Sequence, residues 1–94
     1  MSILEIIRTE TSIVRIMVLD KDSSSDWLYH IGVSVYFVCL KGMLQVEIRN
    51  NDEPATLHPG ERIEIKTSEI HRIINIHDGQ SEYLWIHGAG QKDI

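Results

Sequence analysis

The segment Val33-Ser34-Val35-Tyr36-Phe37-Val38-Cys39-Leu40 constrains this chain more than any other. It is rich in β-branched and aromatic residues and stops at Lys41-Gly42, so it reads as a short strand rather than a helix. Successive side chains of a strand point to opposite faces. Val35, Phe37 and Cys39 then share one face, and Tyr36, Val38 and Leu40 share the other. Both faces are apolar, so both need cover. A chain of 94 residues buries only about 60–65% of the surface its unfolded form exposes. One face can be filled by the chain's own core. The segment 1–10, with its run Ile3 to Ile7, is expected to cover the other, either from the same chain or exchanged with a partner chain. We therefore expect a homodimer, the commonest soluble oligomer.

The remaining sequence repeats the pattern of short strands between turn signals. Ser12 to Leu19 forms a second run, and Asp20 to Asp26 a long polar loop. Beyond Gly42, Leu44, Val46 and Ile48 alternate with Gln45, Glu47 and Arg49. Asn50 to Glu53 suits a hairpin loop, and Pro59-Gly60 the centre of a type II turn. Ile63 and Ile65, then Ile70 to Ile76, an Asp78-Gly79 turn and Tyr83 to His87 complete the series. Residues 88–94 are expected to form a loose tail. No helix is signalled. The class is all-β, and periodicity alone leaves an immunoglobulin-like sandwich or an SH3-like barrel open.

Charge excludes several functions. Nine basic residues against fourteen acidic give a net charge of -5, which opposes nucleic acid as a partner. No stretch is long and apolar enough for a membrane helix. Glu5, Arg8, Glu10 and Arg15 interrupt any secretory signal. The lone Cys39 fits a reducing compartment, and the expected location is cytoplasmic.

Two motifs go further. Gly60 is followed by Lys66, Ser68, His71 and Asn75, and Pro59 and Glu61 flank that glycine. Upstream, Val35 to Ile48 runs through a hydrophobic strand, Gly42 and a second strand. In this order the two segments resemble the two motifs of the cupin family. The second motif reads Gly, five residues, Pro, one residue, Gly, two residues, His, three residues, Asn. The first ends with Glu, six residues, Gly. The resemblance spans roughly Val14 to Trp85 and implies a cupin double-stranded β-helix, a jelly-roll barrel formed by residues 1–94 as one domain.

The resemblance also implies a site, and there the sequence departs from the family. The metal-binding Glu of the first motif falls on Val35, and of the two upstream histidines only His30 is present. His71 fills the histidine of the second motif, while Lys66 and Ser68 stand for its Pro and Gly. Two imidazoles make a weak site, since useful affinity takes about three protein ligands. We therefore expect the metal site to be lost and no cofactor to be required; were a divalent transition metal retained, His30, His71 and His87 would hold it.

His71, Ile73 and Asn75 share parity and should face the barrel interior. Trp27, Tyr29, His30, Phe37, His71 and Asn75 form the expected ligand-binding set, a pocket for a small polar or anionic metabolite. A buried histidine hydrogen-bonded to its neighbours, and a Trp27 that merely plugs the barrel end, are the plainer readings of the same residues. Two functions compete. One is a binding module. The other is an enzyme of isomerase, epimerase or dehydratase type, metal-free or with an atypical metal, in which His30, His71 and Tyr29 are the candidate catalytic groups.

Overall fold

A computed structural model describes residues 2–51 and 53–88. Among them every regular element is a strand. The order is β1 (Ser2–Arg8), β2 (Ile13–Leu19), β3 (Val35–Lys41), β4 (Leu44–Ile48), β5 (Ala55–Leu57), β6 (Arg62–Ile65), β7 (His71–Asn75) and β8 (Ser81–His87). The three-residue β5 is too short to carry a periodic signal, and the sequence gives no cue for it. The expected tail lies, apart from Gly88, outside the described residues.

Two antiparallel sheets face each other. The larger runs β1-β2-β8-β3-β6 and the smaller β5-β4-β7. The chain crosses between them at Gly42, so β3 and β4 lie in different sheets although they are adjacent in sequence. Gly42 has φ +85°, a left-handed backbone that favours glycine, and Gly60 has φ +91° after Pro59. The irregular segment before β3 extends the small sheet, with bridges from Ser24 to Ile74 and from Leu28 to His71.

Alternation decides what lies between the sheets. The inward residues of β3, Val35, Phe37 and Cys39, are buried with Met17 and Leu19 of β2 and with Tyr83 of β8. Leu44, Val46, Leu57, Ile65 and Ile73 close the core from the remaining strands. Cys39 is a free buried thiol, as its parity predicts, and burial pushes its pKa up.

β1 does not lie over Tyr36, Val38 and Leu40. It pairs antiparallel with β2 of its own chain and extends the large sheet at its edge. The short turn closed by Thr9 N–H donating to Ser12 O, 2.8 Å, brings it there. Its seven residues are all exposed.

Candidate functional site

The barrel mouth gathers imidazoles from three separate parts of the chain. His71 opens β7 and is 2% exposed. Its Nδ1 lies 3.0 Å from the Glu69 carbonyl. A carbonyl only accepts, so Nδ1 carries the proton and Nε2 is the acceptor in the neutral ring. His30 comes from the loop before β3. Its carbonyl accepts from Ser68 N–H at 2.6 Å and from Thr67 Oγ1 at 3.1 Å. Thr67 Oγ1 in turn accepts from Gly32 N–H at 2.8 Å. The turn carrying Ser68, at φ +68°, therefore fixes the backbone of His30. That ties the altered second motif to the histidine left from the first.

The two rings stand 5.2 Å apart. His87 joins them, 5.9 Å from His30, and stacks on Trp85 at 5.1 Å and 11°. Phe37 closes the inner side, 5.6 Å from His71. His30 Nε2 is shut from water and has no hydrogen-bond partner among the described residues, and the residue as a whole is half-buried. Burial, and then the neighbouring His71 and His87, lower the His30 pKa. The ring is therefore neutral near pH 7.

Two contributors escaped the sequence reading. Arg15 lies opposite Trp85 on β2 and places its guanidinium 4.8 Å from the indole centroid. Glu5 of β1 reaches Arg15 at 3.5 Å. The signal was present: Arg15 shares strand parity with Met17 and Leu19, both buried. A cleft of about 440 Å³ adjoins this cluster, with Arg8, Thr11, Ile13, Val33 and His87 among its walls. His87 is thus both a wall of the cleft and a neighbour of His30.

Three residues expected in the pocket stand elsewhere. Segment 24–28 runs antiparallel to β7, with Leu28 and His71 exchanging backbone hydrogen bonds of 2.8 and 2.9 Å. That register sets Trp27 beside Arg72 on the outer face of the small sheet. Its indole meets Arg72 at 4.8 Å and Arg49 at 5.0 Å. Tyr29 is 57% exposed, with no hydrogen bond to the imidazoles, so it does not join the candidate acid–base groups. Asn75 is buried, but at the far end of β7, opposite Leu44 where His71 is opposite Ile48. Its amide nitrogen donates to the carbonyls of Leu19, Asp20 and Gly79 at 3.2, 2.9 and 2.7 Å. Its Oδ1 accepts from His77 N–H at 2.9 Å and Ser81 Oγ at 2.7 Å. Every polar atom of that side chain is spent on the fold.

The donor set does not fit a metal. Val35, at the position of the carboxylate, is buried among apolar side chains. Among the described residues no group of three or more His, Cys, Asp or Glu side chains is arranged to hold an ion. His30 stands 5.2 Å from His71 and 5.9 Å from His87, ring centre to ring centre.

The family model described as "Cupin domain" matches residues 15–87. The match covers most of the chain, which therefore belongs to the cupin family. The crystal structure of TT1209 from Thermus thermophilus superposes with a TM-score of 0.83 at 17% identity, covering 93% of this chain and 81% of that one. An RmlC-like cupin with a double-stranded β-helix fold from Methanocaldococcus jannaschii gives 0.82 at 17%, covering 93% and 78%. KdgF from a Halomonas species gives 0.83 at 13%, covering 97% and 78%. At such identities the likeness carries the fold and nothing further. No curated protein sequence matches the chain.

Proposed function

From its membership of the cupin family, we propose that the chain is a binding protein that holds a small polar or anionic metabolite at the barrel mouth. The observation that carries this reading is His30 Nε2, a buried polar atom without a partner. Leaving such an atom unpaired costs about 1–3 kcal/mol, and a ligand hydroxyl, which can donate or accept as the ring's tautomer requires, recovers that loss when it pairs there. The cleft beside His87 is walled by Arg8, which is bound to Glu5 at 2.8 Å, and by Glu10, so a polar group with both donors and acceptors suits it, and Arg15 adds a second guanidinium beside Trp85. The incomplete donor set favours binding without a metal. The lone buried thiol supports a reducing, cytoplasmic setting.

A thermal-shift screen with sugar phosphates, nucleotides and keto acids tests it. A ligand at about 100 times its Kd stabilises the fold by about 2.7 kcal/mol. His30→Phe, which keeps a ring and deletes both ring nitrogens, should abolish the shift of any hit. A hit whose shift is unchanged in His30→Phe removes the site.

The second reading is an enzyme of isomerase, epimerase or dehydratase type working without metal. The lowered pKa of His30 favours it, because a neutral imidazole at pH 7 can abstract a proton next to a carbonyl. Deuterium exchange into a bound keto acid or keto sugar, lost in His30→Phe, separates this reading from simple binding.

A further inference from the structure

The outer face of the small sheet carries a charged cluster built around Trp27. Glu47 and Arg49 project outwards, because Val46 and Ile48 alternate with them and pack on the core. Arg72 is opposite Glu47 in the register, and its Nε donates to Glu47 Oε1 at 2.8 Å. The charges of that pair balance. Arg49 has no such counterpart. Its guanidinium lies 5.0 Å from the centre of the Trp27 indole, and it meets no carboxylate among the described residues. The backbone holds it in place: Arg49 N–H donates to Ile70 O at 2.7 Å, and Asn51 N–H donates to Ile48 O at 3.0 Å. Asn50 takes a left-handed backbone, φ +76°, at the third position of that turn, where asparagine is tolerated.

Beside this cluster lies a cleft of about 300 Å³, walled by Trp27, Glu47, Arg49, Asn50, Asn51 and Pro54. We propose that it binds a small phosphate monoester, with the Arg49 guanidinium as the ionic partner of the phosphate. Donor count selects that group. A guanidinium fork meets the two oxygens of a carboxylate by itself. A phosphate ester has three terminal oxygens and calls for more donors. The side-chain amides of Asn50 and Asn51 make no hydrogen bond among the described residues and supply them. The indole limits the rotamers open to Arg49, so less freedom is lost when the anion binds. Glu47 does not oppose the anion, because Arg72 balances it. The volume stands at the lower end of small-molecule sites, about 300–1,000 Å³. Trp27, 38% exposed, and Pro54 give the body of the ester an apolar wall.

A single unbalanced cation suits one phosphate group, and not a nucleic acid backbone, which needs clustered basic residues. The cleft lies on the outer side of the sheet whose inner side carries the buried His71. The proposal is therefore independent of the barrel-mouth reading.

Titration of the nitrogen-15-labelled chain with ribose 5-phosphate, followed by two-dimensional NMR, tests the proposal. The two tryptophans give separate indole N–H signals, which Trp27→Phe assigns. The Trp27 signal and the side-chain amide signals of Asn50 and Asn51 should shift saturably, with a Kd of about 1 mM or tighter. Ribose should shift none of them. Arg49→Gln, at an exposed position, should fold as the intact chain does and bind at least tenfold more weakly. Arg62→Gln removes the same charge from an exposed position on the large sheet and should leave the affinity unchanged. A Trp27 signal that stays still, or that moves linearly without saturating, overturns the proposal. So do an affinity that survives Arg49→Gln and an equal loss in Arg62→Gln. Saturable shifts confined to Trp85 also overturn it and put the ester at the barrel mouth instead.

Discussion

Replacing Asn75 with aspartate changes one atom and reverses the chemistry of a buried junction. The Asn75 amide nitrogen has two protons for three carbonyls, those of Leu19, Asp20 and Gly79. It joins the end of β2 and the turn before β8 to the last residue of β7. Asn75→Asp removes both donors, at about 1 kcal/mol each. It also sets a carboxylate oxygen against the three carbonyl oxygens, which adds about 2 kcal/mol or more. A total near 4 kcal/mol is a large share of the roughly 5–14 kcal/mol expected for a domain of this size. With a urea slope of about 1–2 kcal/mol/M, the midpoint at pH 7 should fall by about 2–4 M. The penalty should depend on pH. The introduced carboxyl is driven towards its neutral form, so its folded pKa lies above the unfolded value of about 3.9. An acid whose folded pKa is raised is least penalised below the unfolded pKa, and the penalty grows as pH rises through the folded value. Urea titrations of both proteins at pH 4 and 7, at one protein concentration, measure this. A loss under 1 kcal/mol at pH 7, or a gap that does not narrow at pH 4, would refute the assignment of Asn75 to the fold.

Other outcomes follow from single contacts. Gly42→Ala puts a methyl group onto the Ser81 side chain at a left-handed backbone position. It should cost about 2–3 kcal/mol and lower Tm by about 10–20 °C in a calorimetric scan. Burial raises the Tyr83 phenol well above its ordinary value, so stability should fall as pH rises above about 10. Tyr83→Phe should flatten that alkaline limb in urea titrations; an unchanged limb contradicts it. For His30 the folded pKa is depressed. Its contribution is present above the unfolded pKa of about 6.5 and is lost as pH falls through the folded value. Between pH 7 and 5 the intact protein should lose more stability than His30→Gln, and equal losses would be inconsistent with the buried ring. Incubation with iron, manganese, nickel or zinc followed by desalting and elemental analysis should leave far less than one ion per chain. A tightly held equivalent would contradict the reading of an incomplete donor set.

The strands, the inward set Val35, Phe37, Cys39 and His71, and the family itself were legible along the chain, because alternation and turn chemistry are local properties. The same alternation marked Tyr36 and Val38 as a second apolar face. Where side chains from different strands meet depends on register and on which sheet each strand joins, and neither is written in any one segment. Pairing of β8 with both β2 and β3 brought His87 and Arg15 to the mouth. The antiparallel run of 24–28 beside β7 turned Trp27 outwards. Asn75 shares a strand face with His71, yet β7 sets it at the far end of β4, where three carbonyls claim it. Sequence parity gives the face of a sheet on which a residue lies; the tertiary structure alone decides its neighbours there, because those neighbours come from strands distant along the chain.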